Sequence, residues 1–208
     1  MDLSLPTPYD TLDLNTFNQI CRSCTACELA KTRTHVVVGH GPTPSPLMII
    51  GEGPGEQEDL CGKPFVGRSG QLLTQMLASV NIDRDTEIFI TNIVKCRPPA
   101  NRNPLAQETV ACSGFWLRQL SLVQPKILLL LGGPSLKTVL GPIGPISKVR
   151  GQWIPKPVSY MKDPLYVMPL FHPSYLLRNA SKEIGKPRWV TAQDLLTVKA
   201  KLLLTATF

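Results

Sequence analysis

Four cysteines, Cys24, Cys27, Cys96 and Cys112, follow the spacing C-x2-C, a long gap, then C-x15-C. Four thiolates that converge on one point hold either zinc or an iron–sulfur cluster, and spacing alone does not choose between them. The bland alternative is a set of ordinary buried thiols. The second pair flanks Arg97, Pro98, Pro99 and Asn101 and runs into an amphipathic stretch, so a loop and a helix can both aim a sulfur at one centre. A second group of chemistry-bearing residues surrounds the turn Gly51-Glu52-Gly53-Pro54-Gly55. Its glycines would let the backbone approach a ligand closely. It lacks the Gly-Lys-Ser/Thr ending of a P-loop and is not a GxGxxG, and the acids Glu56, Glu58 and Asp59 argue against simple phosphate cradling. Phe65, Asn92 and His172 add a π-face, a bidentate amide and an imidazole. Singly, each has a structural reading as core, turn or strand-end residue. Together they can hold a planar base and stabilise charge on its carbonyl.

The elements that must position these groups are short apolar runs alternating with amphipathic stretches. Residues 47–50, 88–94, 126–131 and 166–170 read as strands. Leu72, Leu73, Met76, Leu77 and Val80 share one helical face. Further helices are expected after Asn103-Pro104 through Leu120, over 135–140 and over 191–204, with a short arm and first helix over 1–20. The Gly/Pro-rich stretch 141–157 suggests a hairpin or irregular strands. Strands alternating with helices imply a largely parallel sheet covered on both faces, with ligands collecting at the strands' carboxyl ends. Those ends carry residues 51–55, Asn92, Gly132-Gly133 and His172.

Composition sets outer bounds. The chain has 208 residues, 43% hydrophobic and 18% charged, as in a soluble protein of one domain. Its longest apolar run is far shorter than the roughly 20 residues of a membrane span. The opening MDLSLPTPYDTLDLN has neither a basic nor an apolar leader region, so no secretion signal is expected. Six cysteines in such a chain suggest cytoplasmic metal ligation over a disulfide scaffold. The net charge of +7 favours a polyanionic partner, with a merely solvated basic surface as the alternative. The basic residues Arg97, Arg102, Lys148, Arg150, Lys156, Arg178, Lys182, Lys186 and Arg188 lie in or beside turn-rich segments.

From Cys24 onward the chain resembles the family 4 uracil-DNA glycosylases, the iron–sulfur type. The resemblance rests on CTACELAKTR, GEGPGEQED, GKPFVGRSGQLL, TNIVKCRPPANR, KVRGQW and FHPSYLLRN, in that order. It implies a three-layer α/β/α sandwich around a four-stranded, mainly parallel sheet. It also implies a [4Fe–4S] cluster on Cys24, Cys27, Cys96 and Cys112. Cys21-x2-Cys24 is a competing pair, and the family register after Cys27 favours Cys24 with Cys27. Cys61 reads as a plain thiol. One catalytic domain over 1–208 follows, with 1–20 as the N-terminal arm and 21–208 as the cluster-bearing core.

The activity implied is hydrolysis of the N-glycosidic bond of deoxyuridine in single- or double-stranded DNA, by a cytoplasmic monomer. The uridine would flip out of the stack. Phe65 would stack on it, Asn92 would read its O4/N3 edge, and Gly53 would offer backbone N–H groups. His172 would stabilise charge on O2. In the family 1 enzymes an aspartate that positions the attacking water occupies the place of Gly53, so here either the carboxylate comes from elsewhere, with Glu52 and Glu58 the candidates, or water activation is weaker. A glutamate could equally reject the thymine methyl. Arg97, Arg102, Tyr175, Leu176 and Arg178 would contact DNA. Three other readings stand beside this one. A relative that crosslinks to uracil-DNA would carry a histidine in the loop KCRPPANRNP, which has none. A non-catalytic binding module would have lost the pocket residues, and an electron carrier would need neither pocket nor basic loops.

Overall fold

The computed structural model describes residues 2–205. In chain order the elements are α1 (Leu14–Ser23), β1 (Leu47–Gly51), α2 (Glu56–Cys61), α3 (Arg68–Ala78), α4 (Arg84–Glu87), β2 (Ile88–Asn92) and α5 (Ala106–Val123). They continue with β3 (Ile127–Leu131), α6 (Gly133–Leu140), α7 (Ile146–Val149), β4 (Ile154–Lys156), β5 (Leu165–Leu170), α8 (Pro173–Arg178) and α9 (Pro187–Thr205). Single 3-10 turns occur at Glu28–Lys31 and Pro99–Asn101.

The strands order as β2-β1-β3-β5-β4. The first four are parallel, and β4 pairs antiparallel on the edge of β5. The expected four-stranded sheet therefore has five strands. The fifth comes from the Gly/Pro-rich stretch, where Pro155 is tolerated because an edge strand leaves one side of its backbone unpaired.

Each parallel strand is an unbroken apolar run because both of its faces are covered. Met48, Ile50, Leu128, Leu130 and Val167 pack with Trp116, Leu120 and Val123 of α5 and with Leu136 and Val139 of α6. Leu47, Ile49, Ile127, Leu129 and Met168 pack on the other face with Leu73 and Leu77 of α3 and Leu195 and Val198 of α9. Period-two alternation within each strand thus feeds two separate cores. A third apolar cluster gathers Phe17 and Cys21 of α1 with Leu29, Val94, Cys96, Cys112 and Phe115.

The pairing Gly51↔Asn92 ends β1 level with β2, and Leu131↔Leu170 ends β3 level with β5. The four strand ends named from sequence therefore lie along one edge. α1 begins where the Asp13 carboxylate accepts the amides of Asn15 and Thr16 at 2.8 and 3.0 Å. It runs through Cys21 to Ser23 with Cys24 as its C-cap, so the first helix crosses residue 20 and carries Cys21.

Leu129 lies on the middle strand and is 0% exposed. Leu129→Ala should cost about 2–5 kcal/mol of unfolding free energy in urea titrations. A loss below about 1 kcal/mol would show that this layer repacks freely.

Candidate active site

A cleft of ≈ 380 Å³ opens at the carboxyl edge of the sheet. Its lining includes Glu52, Gly53, Glu58, Phe65, Asn92 and His172, with Arg102, Ser174 and Arg178 toward other elements. All six pocket residues singled out from sequence are thus brought together. Asn92 is 1% exposed, and its Oδ1 has no hydrogen-bond partner. The Phe65 and His172 rings lie 5.9 Å apart, tilted by 38°. Space is tight at the strand end. A methyl at Gly51 would come within 2.5 Å of both Asn92 Oδ1 and Phe65 Cζ, so only glycine lets these two side chains meet.

His172 is the N-cap of α8 and lies between β5 and that helix. Its Nδ1 accepts the Ser174 backbone N–H at 3.2 Å and faces the Ser174 hydroxyl at 2.8 Å. A backbone amide can only donate, so Nδ1 is unprotonated and the ring proton sits on Nε2. Burial, reinforced by Arg178 and opposed by Glu58, pulls its pKa down to about 4. The imidazole is therefore a neutral donor at neutral pH. Among the two candidate glutamates the geometry separates roles. Glu58 accepts the amides of Val66 and Gly67 at 2.8 Å each with one oxygen, and that of Gly55 at 3.1 Å with the other. Burial alone pushes the Glu52 carboxyl above its ordinary range.

Phe65 adopts φ of 51°, a backbone state that non-glycine side chains rarely take. Two clamps hold it there. Glu58 grips the amides just after it, and Arg84 of α4 donates to the carbonyls of Phe65 and Pro64 at 2.6 Å each and to Thr74 Oγ1 at 2.9 Å. Gly70 completes the seat, since a methyl there would meet the Phe65 carbonyl oxygen at 1.8 Å. Sequence reading missed Arg84 and gave Ser174 no role. Arg84 sits in an ordinary charged helix start with no motif to mark it; Ser174 lay visible in Phe171-His172-Pro173-Ser174.

The uracil DNA glycosylase superfamily model matches residues 38–196. A type-4 uracil-DNA glycosylase of Thermotoga maritima is 43% identical over 180 residues, 86% of this chain and 89% of that protein. Similar proteins of the same description come from Sulfurisphaera tokodaii, 42% identical over 76% of this chain and 72% of that one, and Archaeoglobus fulgidus, 37% over 74% and 78%. The chain belongs to the uracil DNA glycosylase superfamily.

Several basic residues of this superfamily member have structural partners. Arg102 makes a bidentate pair with the buried Glu108 at 2.7 and 2.9 Å, and Glu108 in turn caps α5 through the Leu105 amide at 2.7 Å. Arg150 is ion-paired with the buried Asp194 of α9. Arg97 donates to Asn101 Oδ1 at 2.8 Å and lies 3.7 Å from Glu56. Arg178 is exposed at the cleft. Tyr175 is 37% exposed, whereas Leu176 is 1% exposed. Leu176 thus faces inward from α8 and corrects the expectation that it touches DNA.

The cysteines also converge. Cys21, Cys24, Cys27, Cys96 and Cys112 line one small cavity with Arg33 and Lys95. Cys24 caps α1, Cys27 precedes the first 3-10 turn, Cys96 follows β2 and Cys112 lies in α5. All are free thiols. Among the described residues no three His, Cys, Asp or Glu side chains come together closely enough to hold a single metal ion.

His172 yields a sharp expectation. Its folded-state pKa lies below the ordinary 6.5, so the stability it contributes is full above pH 6.5 and is lost as pH falls toward about 4. Nitrogen-15 NMR of the ring should show a neutral Nε2–H tautomer at pH 6, with titration near 4. A midpoint at or above the free-imidazole value would remove the neutral-donor assignment.

Proposed function

We propose that the cleft excises uracil from DNA, hydrolysing the N-glycosidic bond to release the base and leave an abasic site. One observation carries this reading: the buried, unpartnered Oδ1 of Asn92 beside the Phe65 ring. An orphaned buried acceptor costs about 1–3 kcal/mol, so the site is built for a ligand that donates there. Uracil presents an N3–H donor next to its O4 acceptor, matching an amide that offers Oδ1 and Nδ2. Cytosine reverses both groups and would leave each contact repulsive. Phe65 supplies the stacking face.

When the C1′–N1 bond breaks, its electron pair stays on uracil and spreads onto O2 and O4. The His172 Nε2–H then donates to O2, an interaction of the oxyanion kind worth about 10²–10³ in rate. A water oxygen bonds to C1′ and gives its proton to a carboxylate. Glu52 takes that role, because both Glu58 oxygens are occupied in holding the Phe65 loop. Arg97, Arg178 and Tyr175 would face the DNA, while Arg102 acts through Glu108 in ordering the loop behind them. Six cysteines with no disulfide among them suit a reducing, cytoplasmic setting.

We also infer a [4Fe–4S] cluster on Cys24, Cys27, Cys96 and Cys112. The donor set fits. The thiols of all four rim one shared cavity. The Ala26 amide lies 3.5 Å from Cys24 Sγ and Arg33 donates to Cys96 Sγ at 3.3 Å, contacts that suit thiolate sulfur. Cys21, fully buried against Phe17, stands as packing. When bound, such a group ties α1, the first 3-10 turn, the loop after β2 and α5 into one body.

Single-turnover assays on uracil-containing oligonucleotides test the site. Asn92→Ala should slow cleavage on the order of 10²-fold, about tenfold for each lost buried hydrogen bond. Full activity in that variant would show that Asn92 does not read the base. The metal inference is tested separately by iron and sulfide content. Alanine at Cys24, Cys27, Cys96 or Cys112 should remove both together with the visible absorbance, and Cys21→Ala or Cys61→Ala should retain them. Loss of iron in Cys21→Ala but not in Cys27→Ala would overturn the ligand set.

A further inference from the structure

Lys95 is 1% exposed and is not part of the cleft lining, so the proposed chemistry leaves it without a task. An ammonium has three donors. Here they are met by the Asn92 carbonyl at 2.8 Å, by Gln119 Oε1 at 2.7 Å and by Thr91 Oγ1. Two of these acceptors are anchored in turn. Gln119 Nε2 and the Thr91 hydroxyl donate to the Val38 carbonyl at 2.7 and 2.9 Å. The Lys95 carbonyl itself accepts the Val37 amide at 2.8 Å. The network therefore joins the end of β2, the middle of α5 and the segment before β1. On its other side Lys95 lines the thiol cavity with Cys21, Cys96 and Cys112. A buried cation is costly unless its donors are met, and the three acceptors meet them here.

We propose that Lys95 is a positioning residue for base recognition: its ammonium, placed between the thiol cavity and the Asn92 carbonyl, fixes the orientation in which Asn92 offers its amide to the base. The argument rests on the uracil-excision reading above. It gives the sequence Asn92-Ile93-Val94-Lys95-Cys96 a physical meaning. One strand end carries the reader, three residues on comes the group that holds it, and the next residue lies in the cysteine centre. An apolar side chain of the same length would take this donor from the buried Asn92 carbonyl and free the turn to shift. Displacing a positioned group by about 1 Å can cost on the order of 10² in rate.

The test uses the full-length, iron-replete protein and Lys95→Met. Single-turnover cleavage of a uracil oligonucleotide should fall about 10²-fold, while affinity for an abasic-site oligonucleotide, which has no base for Asn92 to read, and iron content stay at the wild-type level. Hydrogen exchange of the Ile93, Val94 and Lys95 amides should speed by about tenfold or more without a matching global change. A rate loss below about threefold, or unchanged local exchange, overturns the proposal. So does a parallel fall of cleavage, abasic-site affinity and iron, which marks a general folding role. If Lys95→Met does not fold, Thr91→Val and Thr91→Ser replace it. The valine should slow uracil cleavage and the serine, which keeps the acceptor, should not. Equal rates in the two overturn the proposal. Failure of the wild type on uracil oligonucleotides, with local exchange still responding to Lys95→Met, counts against the excision reading instead.

Discussion

At the carboxyl end of β1 a strand terminus, an aromatic ring and an amide compete for the same few ångströms. The point where a side chain of residue 51 would begin is 2.5 Å from Phe65 and from Asn92. Glycine leaves that point empty, and the parallel register that sets Gly51 opposite Asn92 brings the two groups to it. Everything else at the site follows from keeping them there. The Phe65 backbone is held in a left-handed state by Glu58 on the amides that follow it and by Arg84 on its own carbonyl and that of Pro64. The Asn92 backbone is held by Lys95.

The charges divide along the same line. Glu58, Arg84, Lys95, the Arg102–Glu108 pair and the Arg150–Asp194 pair are all engaged within the fold. Removing one member of such a buried pair leaves the other uncompensated, so these residues maintain shape and are poorly suited to meeting a mobile partner. The cleft keeps two titratable groups whose burial works toward neutrality. Glu52 is pushed upward and His172 downward. A neutral imidazole that donates one fixed proton suits charge that develops late, because it attracts no anion before the bond begins to break.

The family is shown by the match over residues 38–196 together with relatives aligned over most of both chains. The cysteine centre lies beside the cleft and not in it, and the two share the segment from Asn92 to Cys96.

Strand and helix positions, the parallel sheet and the alignment of its carboxyl ends were legible in the sequence, because apolar periodicity is a local property that burial on two faces enforces. Phe65, Asn92 and His172 could be picked out for the same reason: each sits at a strand end or in a short polar word beside one. The fifth strand was legible only as a hairpin or irregular strand somewhere in 141–157, because three residues containing a proline carry almost no pattern of their own. Partner choice was not local at all. Whether Arg102 meets phosphate or Glu108, whether Glu58 meets water or three amides, and whether Leu176 points outward depend on distances between segments far apart in the chain. Only the packed structure fixes those distances, since a long side chain takes the partner that desolvation makes most favourable once both are buried.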